Sequence, residues 1–497
     1  MTSIWIWLGL AATTVYLLGL LALGFYGGRM TEDNVGDYFV AGGTISSLVI
    51  FLTGVGTVFS AFTFLGSGGI SYDLGLAGVV IIGAIAIIDI PAMVMIGEKF
   101  WKMAKMPGKD YVTPADLVCD RFDDSKTVRI LIATIAVGFS FFYIVIQFQG
   151  MGLILNVLSE GLISQTMAIV YIGVFMVVYI AIGGMRGVAY SDALQAVLLF
   201  GGVVAVAVYV FWTQPSDVYL TVAEEAPEIT TLTLEPLYLY TVVMGFALSI
   251  PVWPHMWQRY YAARRHSGVW GLGFAEGIGD FFLLTVSAGI IGFAGILAFP
   301  GLEGLAADTV ILEFILAMPG WVLMILMAAA IAAAMSTADS IVLMLGSIVS
   351  RDIYRELVEG KMSQRELSRL SKLFAGTITV AALLVSLRPL GEIIQVVIDL
   401  TFPGYFLLMP VVVAAFWWPR ANKYGIIAGL IAGLAIVLYF IITGQDAPYN
   451  IWSGFLAAAV ESVVIVLVSL FTAEPPADRV REFTRDVREA DPKSLER

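Results

Sequence analysis

Among 497 residues there is one cysteine, Cys119, and there are two histidines, His255 and His266. One thiol excludes an internal disulfide framework and a thiolate metal site. Two imidazoles leave little for acid–base or zinc chemistry. Charge is also scarce: 13% of residues are Asp, Glu, Lys or Arg, against about 25% in soluble domains. Hydrophobic residues make up 59% of the chain instead, in apolar runs of roughly 18 residues or more, each able to cross about 30 Å of hydrocarbon as helix. This is the composition of an all-α integral membrane protein whose solvent is the lipid bilayer. A net charge of −12 does not suggest nucleic-acid binding, and acidic connecting loops would suit a high-salt environment. The first run, Ile4 to Gly27, lacks a basic leader and a small-residue cleavage site, and reads as a retained span.

The runs predict about thirteen helices: α1 (4–27), α2 (46–73), α3 (76–97), α4 (128–156), α5 (164–183), α6 (189–212), α7 (237–258), α8 (270–299), α9 (313–348), α10 (370–388), α11 (392–417), α12 (424–443) and α13 (450–472). Basic residues concentrate in alternate loops. One loop holds Lys99, Lys102, Lys105, Lys109, Arg121, Lys126 and Arg129. A second holds Arg259, Arg264 and Arg265, and a third Arg351, Arg355, Lys361, Arg365, Arg369 and Lys372. The loop 213–235 carries five acidic residues and no basic one. With the N-terminus outside and the C-terminus cytoplasmic, Arg388 alone of the 27 basic residues lies on the outer side. The segment after Phe471 is charged and Pro-interrupted, and is expected to be a solvated cytoplasmic tail.

Two spans are poor continuous helices. α2 reads "FLTGVGTVFSAFTFLGSGG", and α7, "VVMGFALSIPVWPHMWQRYY", contains Pro251 and Pro254. Small-residue packing and a simple kink would account for each alone. However, the two lie five spans apart, each opening a block of five. Paired broken helices at matching places in inverted halves point to a transporter's central site. α9 contains "MSTADS", residues 335–340. Its hydroxyls could bond back to the preceding turn, but Asp339 at mid-helix costs about 2.5–3.5 kcal/mol on insertion scales and needs a partner, water or a proton. Hydroxyls, carbonyls and a carboxylate form an all-oxygen set, which suits a hard cation. Sodium fits; a transition metal does not.

"DYFVAGG" (37–43), "SAFTFLGSGG" (60–69), "TPADLVCDRF" (113–122), "GGMRGVAYSDALQ" (183–195), "PHMWQRYYAA" (254–263) and "MSTADS" follow one another along the chain. In this order they resemble the sodium/solute symporter family, whose members include proline, pantothenate, sialic acid, monocarboxylate and sodium/glucose carriers. The resemblance implies a leucine-transporter-like fold of two inverted five-helix repeats, 46–212 (α2–α6) and 237–417 (α7–α11). An N-terminal helix and loop (1–45) would precede them, and two helices (418–472) and a tail (473–497) would follow. It implies sodium-coupled import by alternating access, with sodium as the coupling ion and no organic cofactor. Carried over by position, the main sodium site takes the carbonyls of Gly56, Phe59 and Ala333 and the hydroxyls of Ser336 and Thr337. A second site in some relatives maps onto Asp192, with Ser336, Asp339 and Ser340 as neighbours, although "YSDALQ" is also how a helix begins after a turn. Asp339 replaces a hydroxyl found in some relatives, and Val58 stands where others have an acid.

The resemblance also places Ser60 and Thr63 at positions that contact a substrate carboxylate. Gln147 faces the same region, with Tyr143 one turn earlier on its face. Phe246 and Trp253 are candidate aromatic walls or gates. With no basic residue central in the spans, a small carboxylate or amino-acid-like solute fits better than a large sugar. A proton-coupled carrier of the same fold is the nearest alternative, followed by a channel or transport-like sensor. A membrane enzyme ranks last, because no His/Cys/Asp/Glu cluster has catalytic spacing.

Overall fold

The computed structural model describes all residues except Met1, Asp33, Phe59, Val286, residues 359–361, Pro389, Glu392, Asp446 and Arg497. Among the described residues the chain is helical, with no strand; a lone backbone bridge pairs Ile45 with Ala263. Nine helices there are long and apolar enough to cross a bilayer, or eleven if each of two bent pairs is one crossing. The bent pairs are α2 and α7, bent by 59° and 43°.

α5 and α6 form one helical run, Gln165–Thr213, of 49 residues. A straight rod of that length would reach about 70 Å, more than twice the hydrocarbon thickness. The run breaks at Gly184, with φ 55° and ψ −160°, a conformation open essentially to glycine. A Cβ there would also meet the Tyr38 ring at 2.8 Å. α1, Thr2–Arg29, packs on both sides of this break. Its Gly27 comes so close to Gly187 that an added Cβ would lie 2.5 Å from the Gly187 amide nitrogen.

Several expected boundaries move. α3 runs from Leu76 to Lys105, so Lys99, Lys102 and Lys105 belong to its last turns, where Lys102 pairs with Glu98 at 2.7 Å. The expected α9 is two elements, Val310–Ala317 and Gly320–Ile348, because Pro319 cannot continue a helix and starts a new one. Every residue of α9 from Leu326 to Ile348 is buried, as expected of a helix that is apolar all round and central in a bundle. α7 continues through Ala262. Arg259, expected in a loop, is therefore inside the helical bundle and 1% exposed.

The tail also differs from expectation. It folds back onto the basic face of the bundle, with Phe483 and Val487 fully buried. The Phe483 ring lies 5.5 Å from that of Phe416.

Candidate functional site

The break in α2 separates helix Ser47–Val58 from the wide-turn segment Phe62–Gly66, which leads into helix Ser67–Leu74. The break frees backbone groups, and nearby side chains take them up. The Ser60 amide donates to Thr63 Oγ1 (2.6 Å), and the Thr63 amide donates to Ser60 Oγ (3.2 Å). The Ala61 amide donates to Gln147 Oε1 on α4 at 2.7 Å. The Gln147 side chain is fully buried, and its Nε2 has no hydrogen-bond partner among the described residues. An amide donor is thus held beside the break.

α9 crosses the other end of the break. The Ser336 hydroxyl lies within donating reach of the Gly56 carbonyl (2.6 Å) and the Ala333 carbonyl (2.9 Å). Thr337 Oγ1 donates to the Thr57 carbonyl at 3.0 Å. Of the main-site candidates, Gly56, Ala333, Ser336 and Thr337 therefore converge, and Thr57 joins them. Phe59 lies outside the described residues. Close approach is possible because residue 56 is glycine: a Cβ there would stand 2.8 Å from the Asp192 carbonyl oxygen on α6.

About one turn along α9 lies a charged cluster. Asp192 Oδ2 accepts from Thr53 Oγ1 and, at 2.9 Å, from Arg259 Nη2. Arg259 Nη2 also donates to Ser340 Oγ at 2.7 Å. Ser340 Oγ lies 3.0 Å from the Ser336 carbonyl and 3.3 Å from Asp339 Oδ1. Asp192 and Asp339 are both fully buried, and Asp192 Oδ1 and Asp339 Oδ2 have no hydrogen-bond partner among the described residues.

A family model described as the sodium:solute symporter family matches residues 38–433. The chain belongs to that family. The symporter is 26% identical to the Sodium/proline symporter of Escherichia coli strain K12, over 94% of each chain. It is 23% identical to the Monocarboxylic acid transporter of Corynebacterium glutamicum, over 90% of this chain and 87% of that one. Among solved structures it is similar to a Na+-coupled sialic acid symporter in a substrate-bound, outward-open state. That match has a TM-score of 0.78 at 19% identity and covers 95% of this chain and 99% of the other. The fold is leucine-transporter-like, and the protein is a multi-pass membrane carrier that imports a solute coupled to sodium. It is not an enzyme.

In the symporter, the α7 break sits at Trp253, whose extended backbone (φ −59°, ψ 131°) separates Pro236–Val252 from Pro254–Ala262. Trp253 and Phe246 meet Tyr143 in an aromatic box that the sequence reading only half described. Phe402 of α11 is at its centre, 4.9 Å from the Trp253 ring, 4.1 Å from Phe246 and 5.7 Å from Tyr143. Phe62 and Tyr405 close the sides, and Tyr405 is anchored on Ser140 Oγ at 2.7 Å. Thr53, Thr57, Arg259, Phe402 and Tyr405 were missed. The sequence around the last three is ordinary: "TFPGYF" (401–406) reads as the aromatics of an apolar span, and "WQRYY" (257–261) as the basic end of one.

Proposed function

We propose that the carbonyls of Gly56, Phe59 and Ala333 and the hydroxyls of Ser336 and Thr337 hold the coupling sodium ion. Thr57 is its neighbour. On this reading Asp192, Asp339 and Ser340 hold a second cation one turn away. The observation carrying the main site is the meeting of the α9 hydroxyls with the α2 carbonyls, at 2.6 and 3.0 Å, where α2 is broken. Such an all-oxygen set suits a hard monovalent ion. Support for the second site comes from the two buried, unpartnered carboxylate oxygens. It also comes from the related sialic acid symporter, whose structure revealed a novel Na+ site.

The solute is a small carboxylate or amino-acid-like compound. Ser60, Thr63, Gln147 and the freed amides of α2 meet its carboxylate, and Tyr143, Phe246 and Trp253, with Phe402, enclose its apolar part. The unpartnered Gln147 donor supports this, because a carboxylate is the acceptor it lacks. The solutes named for relatives, proline, monocarboxylic acids and sialic acid, are carboxylic acids too.

The chain runs with its N-terminus outside and its C-terminus cytoplasmic, with repeats at 46–212 and 237–417, so the basic loops face inward. Sodium bridging α2 and α9 orders the pocket beside it, and by linkage the solute tightens sodium in return. Each inward charge gains about 2.3 kcal/mol per 100 mV of inside-negative potential.

The test is sodium-dependent uptake in proteoliposomes. Ser336→Ala and Thr337→Ala should each raise half-saturating sodium about tenfold, equivalent to about 1.4 kcal/mol, at normal membrane abundance. Wild-type sodium dependence in the double variant overturns the main site.

A further inference from the structure

Arg259 is fully charged at any physiological pH, is 1% exposed, and lies among membrane-spanning helices with no part in the coupling site itself. Its guanidinium touches three elements at one point. Nη2 binds Asp192 Oδ2 on α6 (2.9 Å) and Ser340 Oγ on α9 (2.7 Å), and Nη1 donates to the His255 carbonyl (3.3 Å) on its own helix. Thr53 adds α2 through the same Asp192 oxygen.

We propose that Arg259 is a positioning residue that sets the charge of the second cation site. The inference rests on reading Asp192, Asp339 and Ser340 as that site. With both carboxyls ionised, Asp192 and Asp339 contribute two negative charges to a sealed cluster, and Arg259 returns one. Among these three groups the remainder is a single negative charge, which one monovalent ion neutralises. The bonding agrees with the count. Arg259 and Thr53 occupy Asp192 Oδ2, and Ser340 reaches Asp339 Oδ1. This leaves one oxygen on each acid, Asp192 Oδ1 and Asp339 Oδ2, with no hydrogen-bond partner among the described residues. The arginine thus takes one oxygen of Asp192 and holds Ser340 beside one oxygen of Asp339, and the incoming ion takes the other oxygen of each acid.

An ion in transit has to bind well enough to enter and weakly enough to leave. Two uncompensated buried carboxylates would hold sodium too firmly for release. A guanidinium bound to one of them weakens the hold without closing the place. Because Ser340 also contacts the Ser336 carbonyl, the cluster is mechanically continuous with the main site.

Sodium activation of uptake, measured at one fixed pH on purified carrier in proteoliposomes, tests this. The wild type should show sigmoidal sodium dependence. Arg259→Gln should lower half-saturating sodium about tenfold while maximal rate falls, because release slows; Arg259→Lys should stay near wild type. A residue with only a packing role would lower abundance or rate without lowering the sodium requirement. Asp192→Asn makes the cluster neutral and should give a hyperbolic curve. Adding Arg259→Gln to it restores one net negative charge and should bring sigmoidicity back, a contrast that avoids leaving two buried acids uncompensated. A sigmoidal wild type combined with an unchanged or raised sodium requirement in Arg259→Gln, or with no recovery in the double variant, overturns the role of Arg259 alone. A hyperbolic wild type overturns the second site and this role with it.

Discussion

Gln147 joins two tasks in one side chain. Its Oε1 accepts the Ala61 amide that the α2 break sets free, and its fully buried Nε2 has no partner among the described residues. Gln147→Leu removes the acceptor and leaves a buried amide unsatisfied, which costs about 1–3 kcal/mol. The solute concentration for half-maximal uptake should rise about tenfold or more. Gln147→Glu keeps the acceptor but replaces the donor with negative charge, and should nearly abolish binding of a carboxylate while sparing a neutral solute. Equal tolerance of both variants for a carboxylate solute, measured by uptake kinetics, would remove the basis for the proposed substrate class. At this scale the sequence was most informative where a residue broke composition: Ser336, Thr337 and Asp339 stand out in an apolar helix, and Ser336 and Thr337 meet the carbonyls at the α2 break while Asp339 lies further along beside Ser340. Arg259 did not stand out. Basic residues concentrate outside membranes, so an arginine near a span's end reads as loop, and only the packed partner Asp192 shows that it is buried.

Between elements, close approach decides what the side chains can do. α2 and α6 come together at Gly56, where a Cβ would lie 2.8 Å from the Asp192 carbonyl oxygen and 3.3 Å from its Cβ. Both neighbours are buried at a helix contact and cannot swing aside. Gly56→Ala should therefore push α2 away from α6, displacing the Gly56 carbonyl from Ser336. The expected outcome is loss of sodium-stimulated uptake and of sodium protection against heat, with the carrier still inserted in the membrane. Normal sodium affinity in this variant would mean that the Gly56 carbonyl is not part of the ion site. Both helix breaks were readable, because clustered glycines weaken a helix and each of the paired prolines removes a backbone donor. The contribution of α11 was not. Phe402 and Tyr405 look like ordinary apolar-span aromatics, and only tertiary packing sets Phe402 between Trp253 and Phe246. Gly404 allows this, since a Cβ there would overlap the Phe139 ring at 2.0 Å.

Across the whole molecule, the tail ties together parts that are distant in sequence. Arg479 pairs with Asp120 (2.7 Å), Lys109 bridges Asp120 (2.6 Å) and Glu482 (2.7 Å), and the His266 amide donates to Glu496 Oε1 (3.0 Å). The charges that made this segment look solvated are the ones that hold it down. Its apolar residues Val480, Phe483 and Val487 recur at helical spacing, a faint signal that the surrounding charge obscured. These pairs are largely shielded from solvent and add to the docking, and Phe483 is its apolar anchor, whose loss should cost about 3–5 kcal/mol as for other buried Phe-to-Ala changes. A charge there costs more, because it would be buried without a partner. Cys119 reports on this region: it is the chain's one thiol, it lies in helix Pro114–Arg121 beside Asp120, and burial pushes it up to about 12, so it stays unreactive toward maleimide while folded. Heating with a thiol-reactive fluorophore should label Phe483→Asp at a clearly lower temperature than wild type. Arg481→Ala, whose side chain is exposed and pairs with Asp486 of the tail itself, should match wild type. Identical melting of wild type and Phe483→Asp would mean that the tail adds nothing to the stability of the face it covers.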